Sequence, residues 1–265
     1  MPQSPGIEPL ALPSKHKAWV RLFLAGCLAL GTHLAAGLGM LAILRHGLDT
    51  NTNLLERMEF IVNRKYLWIS AWLAWNVAAL SILFFYYSMA IAHEQDAGCR
   101  LTLLHLAVIF STAAIAVDLT AETLEMGLLP DLAALALNDA HAQPGGITAT
   151  EMFLLLHRIV VMLSGYLANG LYSLSALMLA WTTRKFYPVW TWMAGISVGA
   201  AGFALSAAAL ANSAQGMFWT NVVLVPGILV WLAGVAAYAR KRASVLLNSG
   251  NPHEINRQFQ SRARQ

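Results

Sequence analysis

Six stretches of this chain, approximately residues 19–43, 67–92, 101–123, 152–181, 187–211 and 219–239, run at membrane-crossing length with few charges inside them. A helix needs about 20 apolar residues to cross a hydrocarbon layer roughly 30 Å thick, and in lipid a spanning segment must satisfy its own backbone polar groups. Ten-residue alternating segments, the mark of a β-barrel, are not visible. The expected fold is an all-α membrane protein, a six-transmembrane-helix bundle. Composition agrees: 58% of the residues are hydrophobic and 11% charged, with a mean hydropathy of +0.57. The bilayer is the first partner.

Residues 1–17 hold four prolines and no apolar run, so they read as a disordered cytoplasmic tail. The run that follows is longer than the apolar part of a signal peptide and reads as an anchor. Residues 18–242 form the expected transmembrane domain, with outer loops at 44–66 and 124–151, and 243–265 form a basic cytoplasmic tail. Lys15, Lys17, Arg21, Arg100, Arg184, Lys185, Arg240, Lys241, Arg242, Arg257, Arg262 and Arg264 collect on one side, and Arg45, Arg57, Arg64 and Lys65 on the other. Twelve basic residues against four place both termini in the cytoplasm of a bacterial inner membrane. The basic tail has little aromatic content for stacking on bases, so no nucleic-acid partner is expected.

The outer loops are elaborated. Leu54, Leu55, Met58 and Ile61 or Val62 recur at helical spacing, as a short amphipathic surface helix would require. Pro130 and Asp131 open another short helix, which Pro144-Gly145-Gly146 closes, and Thr148 with Glu151 makes a capping box. Trp68, Trp72 and Trp75, with Trp219, read as interface anchors. Gly195, Gly199, Gly202 and Ser206 form a small-residue stripe on the fifth helix, suited to close helix packing and to a membrane-protein partner or a second copy of the chain. Pro226-Gly227 should bend the sixth helix. Cys27 and Cys99, on separate elements, specify neither a disulfide framework nor a zinc motif.

The third helix ends DLTAETLEM, and spacings of four and three put Asp118, Glu122 and Glu125 on one face. Counting a rise of about 1.5 Å per residue sets Asp118 roughly 8 Å below the outer edge and Arg158 roughly 9 Å. Charges at membrane depth pair or line a wet cavity, so Asp118 or Glu122 is expected to pair with Arg158. His157, Asn76 and Asn221 fall in the same outer half, and Arg158, Gly165 and Asn169 share a stripe of the fourth helix. The expected site is an outward-facing pocket walled by Asp118, Glu122, Arg158 and Asn76, with His157 and Asn221 near its mouth. Glu125 reads as a solvated helix end.

Cofactor chemistry has two entrances. Haem would need facing histidines; His33, near mid-bilayer, is the best interior candidate, but His105 lies more than about 10 Å away near the cytoplasmic edge; His157 is closer to level, yet no helix carries a histidine pair. A divalent metal could be held by Asp118, Glu122 and His157. Neither cofactor is predicted. Walker, GxSxG, HExxH and dinucleotide motifs are absent, so the sequence names no reaction. Three functions stay open: a pocket for a small or amphiphilic ligand, used in transport or sensing; a scaffold or accessory subunit; a metal- or haem-dependent membrane enzyme. No internal repeat relates residues 18–123 to 152–242, against the usual transporter plan.

The basic opening KHKAWVRLFLAG, the short turn within YYSMAIAHEQDAGCRLTLLHL and the basic-aromatic turn within LMLAWTTRKFYPVWTWMAG resemble a family of bacterial six-helix integral membrane proteins of unknown function. The likeness spans most of residues 18–242 and implies the six-helix layout. It implies no catalytic residues.

Overall fold

The computed structural model describes residues 12–96, 98–138 and 147–248. Among them are helices α1 (Leu12–Ala42), α2 (Leu54–Asn63), α3 (Lys65–His93), α4 (Leu101–Gly127), α5 (Leu129–Asn138), α6 (Ala149–Val160), α7 (Asn169–Thr183), α8 (Val189–Leu210) and α9 (Ala214–Asn248), and no strand. A π-helical segment, Val161–Ala168, joins α6 to α7 without a break. Six stretches are long and apolar enough to cross a membrane: α1, α3, α4, the α6–α7 unit, α8 and α9. The chain has the build of a multi-pass membrane protein.

Each span packs chiefly on its neighbours in sequence, and α9 returns to α1, so the six close into a ring. Trp19 near the start of α1 stacks edge-on against Tyr238 of α9, with the Arg242 guanidinium 5.6 Å from the Trp19 ring. Both ends of the described chain therefore lie on one side of the ring, the terminal side. The opposite, cap side carries α2 and α5.

Two cores fill the two ends. On the terminal side, Trp19, Leu22, Phe85, Leu104, Leu179 and Trp231 plug the ring. Bulk is accommodated there by the small face of α8. A Cβ on Gly195 would lie 2.8 Å from both Ala180 and Trp231, and one on Gly199 would lie 2.4 Å from Leu177. On Gly202 it would overlap the Ser173 hydroxyl. The stripe is thus spent on contacts with α7 and α9 inside the chain, so a partner would have to engage another surface. On the cap side, Leu44, Met58, Ile61, Trp68, Leu129 and Phe153 form a second core under α2 and α5. Asn53 caps α2 by accepting from the Glu56 N–H, and the Thr148–Glu151 capping box starts α6.

Several boundaries and orientations differ from the sequence reading. α1 starts at Leu12, ahead of residue 18, and α9 continues to Asn248, past residue 242. Leu12–Lys17 can join α1 because proline is tolerated in a first turn. Residues 249–265 and Pro144-Gly145-Gly146 lie outside the described residues. The α2 helix turns Met58 and Ile61 into the cap core, where they bury apolar surface against protein. Trp68 is fully buried and donates its indole N–H to the Glu125 carbonyl at 2.9 Å, so it is no interface anchor. Trp72 is likewise buried, whereas Trp219 is exposed.

Candidate functional site

Between the two cores the ring is incompletely filled. A cavity of about 250 Å³ occupies its cap half, with residues from all six spans on its wall. The acidic face of α4 supplies Asp118, Glu122 and Glu125. All three are buried, Glu125 most completely at 1% exposure, because α5 and α6 fold over the end of α4 that the sequence reading took as solvated.

Each acid meets a different environment. Asp118 accepts from the Ser164 hydroxyl at 2.6 Å and the Tyr172 hydroxyl at 3.4 Å. The π segment positions Ser164. Its widened turn lets the Asn169 backbone N–H reach back to the Ser164 carbonyl, and the Asn169 side chain donates to the same oxygen at 2.9 Å. Such wide turns recur where a helix aims a side chain at a functional site.

Glu125 faces His157, whose Nδ1 lies 3.1 Å from its Oε1. The other ring nitrogen, Nε2, lies 3.1 Å from Asp49 Oδ2. Both contacts are of ion-pair length, and the one to Glu125 also has hydrogen-bond geometry. Asp49 lies in the first cap-side loop and also pairs with Arg57 of α2, which donates from Nε to the Gly47 carbonyl at 3.3 Å. Partial burial works to raise the Asp49 pKa, but the His157 contact and the His157 and Arg57 charges outweigh it and hold the carboxyl at about 2. A chain Arg57–Asp49–His157–Glu125 therefore ties the cap to the cavity wall.

Glu122 has no such support. It is 3% exposed, and its Oε2 has no hydrogen-bond partner. Two donors on the same cavity wall are also unmatched: the indole N–H groups of Trp72 and Trp75.

The expected ion pair between Arg158 and Asp118 or Glu122 does not form. Arg158 turns away to the end of α8, donating from Nη1 to the Ala209 carbonyl at 2.8 Å and to Asn212 Oδ1 at 2.9 Å, and from Nη2 to the Leu210 carbonyl at 3.1 Å. There it neutralises a helix C-terminus. Asn212 holds the turn with a left-handed backbone (φ 55°), and the N–H of Ser213 reaches the Ala208 carbonyl. The π segment explains the difference: it rotates α6 relative to α7, so Arg158 leaves the stripe it would share with Asn169 on a regular helix.

Arg158 and Asn76 are not on the cavity wall; His157 and Asn221 are. Asn76 points its amide toward the Met126 sulfur at 4.0 Å, and Asn221 donates to the Met217 carbonyl at 3.0 Å. His33 also lines the cavity, its Nδ1 donating to the Ala29 carbonyl at 2.8 Å, while His105 is exposed beside Glu94 on the terminal side. These two histidines therefore do not face a common site. Among the described residues no group of three His, Cys, Asp or Glu side chains is placed to hold a metal ion. Sequence reasoning did not single out Asp49, Ser164 or Tyr172.

No family model, curated protein or solved structure matches this chain. The functional reading therefore rests on the cavity.

Proposed function

We propose that this chain is a membrane protein of a bacterial inner membrane, with its terminal side in the cytoplasm, that binds a small or amphiphilic ligand in the cap-side cavity for transport or sensing. Glu122 is the observation that carries the reading. A carboxyl group buried at this depth without a partner costs several kcal/mol in principle, and a chain needing only helix glue would gain by replacing it with an apolar residue. A ligand that completes its hydrogen bonding explains its presence. The cavity is just below the roughly 300–1,000 Å³ usual for drug-sized ligands, which sets a small guest.

The accessory-subunit alternative draws on the same polar groups as structural links. Asp118 suits that role, being bonded within the protein, and so does Glu125 through Oε1, although its Oε2 is unmatched; Glu122, Trp72 and Trp75 do not.

The test is native mass spectrometry of protein purified from its own membranes, comparing the parent chain with Ala79→Phe. Ala79 lines the cavity, so an aromatic ring there would occupy the space. A bound small molecule lost in the folded variant supports the proposal. Identical spectra from two equally stable proteins would count against it.

A further inference from the structure

The ligand's chemical class can be read from what the cavity lacks. Asp118, Glu122 and Glu125 line the cavity, and a fourth carboxyl group, of Asp49 in the first cap-side loop, joins them through His157. Arg57 and His157 serve Asp49 and Glu125. Asp118 receives only hydroxyl groups, Glu122 has an unmatched oxygen, and Arg158, the basic residue nearest in sequence register, is committed to α8. One turn of α4 separates Asp118 from Glu122, so both can address the same guest.

We infer that the cavity takes a primary organic amine, its ammonium group seated between Asp118 and Glu122 and its apolar body against Trp72, Trp75 and Tyr86. This rests on the ligand-binding reading above. An ammonium group supplies both the positive partner that Asp118 and Glu122 lack and the N–H donors that Glu122 Oε2 needs; a quaternary ammonium would supply charge alone. Aromatic faces favour a cation beside them. Trp75 stands edge-on to His33 at 6.4 Å, and Tyr86 packs on Trp231, so these walls are braced by neighbouring rings. The remaining wall is largely aliphatic, from Ile82, Val198, Leu205 and Leu224. A bare inorganic cation would leave that apolar volume unfilled. An anionic headgroup would face two carboxylates. The unmatched indole N–H groups of Trp72 and Trp75 further select an amine that carries an accepting oxygen.

The experiment measures binding to the full chain in lipid nanodiscs by calorimetry and by thermal shift. Tyramine and 2-phenylethylamine are each compared with the alcohol of the same skeleton, tyrosol and 2-phenylethanol, and with sodium chloride against N-methylglucamine chloride. The amines should bind about tenfold or more tightly than their alcohols, as expected when a charge-assisted hydrogen bond replaces a neutral one. Glu122→Gln, which keeps shape while removing charge, should remove most of the roughly tenfold advantage of each amine over its alcohol. Equal binding of amine and alcohol to the parent chain would overturn the amine assignment while leaving a ligand pocket standing. A sodium-dependent shift without an amine preference would assign the wall to an inorganic cation and overturn it as well. Absence of any amine-dependent signal would also refute the assignment, and then the co-purification comparison with Ala79→Phe decides whether the pocket reading survives. Because the amine-to-alcohol comparison is made on the parent chain, it stands even if Glu122→Gln fails to fold.

Discussion

Replacing His157 with alanine should be among the most damaging single changes in the bundle. Its ring sits between Glu125, whose side chain is 1% exposed, and Asp49, whose side chain is 31% exposed. The Glu125 arm is therefore the expensive one. Removing one member of a buried pair strands the other, at about 3–5 kcal/mol. The Asp49 arm is reached by solvent and retains Arg57, so it adds at most about 1 kcal/mol. His157→Ala is then expected to cost about 3–5 kcal/mol. Glu125→Ala should cost less, since it leaves His157 paired with Asp49, and the double variant should cost less than the two single costs together by about 1–3 kcal/mol. Steric-trapping measurements of unfolding free energy in bicelles would supply all four corners of the cycle. Single costs below about 1 kcal/mol that add within about 0.5 kcal/mol would show that the cap is not tied to the cavity wall through this imidazole.

Arg158→Ala should lower stability by about 1–2 kcal/mol through loss of its bonds to the end of α8, and Asp118→Asn should not rescue it; a compensating double variant would restore the ion pair that the structure replaces. Asp49 contributes stability that is fully present above its ordinary value near 3.8 and is lost as pH falls toward about 2, so the parent chain should lose stability in that window more steeply than Asp49→Asn, as read by thermal midpoints across pH. Cysteines engineered into the α2 loop should react with an impermeant reagent from outside intact cells, while one placed in the α7–α8 turn should not; the reverse pattern would invert the orientation drawn from the basic residues.

The number and order of the spans were legible because each is a long apolar run whose length is set by the bilayer, and the acidic stripe was legible because a regular helix preserves its spacing. What failed was the pairing across the cavity. Arg158 and Asp118 do share a level by a count of rise per residue, but azimuth decides contact, and the π segment changes azimuth without leaving a clear mark in the sequence. The burial of Glu125 depended on α5 and α6 folding over the end of α4, a tertiary event. Trp68 and Trp72 were misplaced for the same reason: a tryptophan near a helix end faces headgroups only if no cap covers it. Ser164 and Tyr172 were hidden by abundance, since hydroxyl residues in apolar helices usually bond their own backbone, as Thr183 and Ser206 do here.

The central claim is that the space beside Glu122 is a binding site. An experimental density map of the full chain, purified from its own membranes into nanodiscs, tests this most directly. A compact non-protein density is expected within the cap-half cavity, touching Glu122 and lying against Trp75. A collapsed cavity in which Glu122 bonds to a side chain of the protein itself would contradict it.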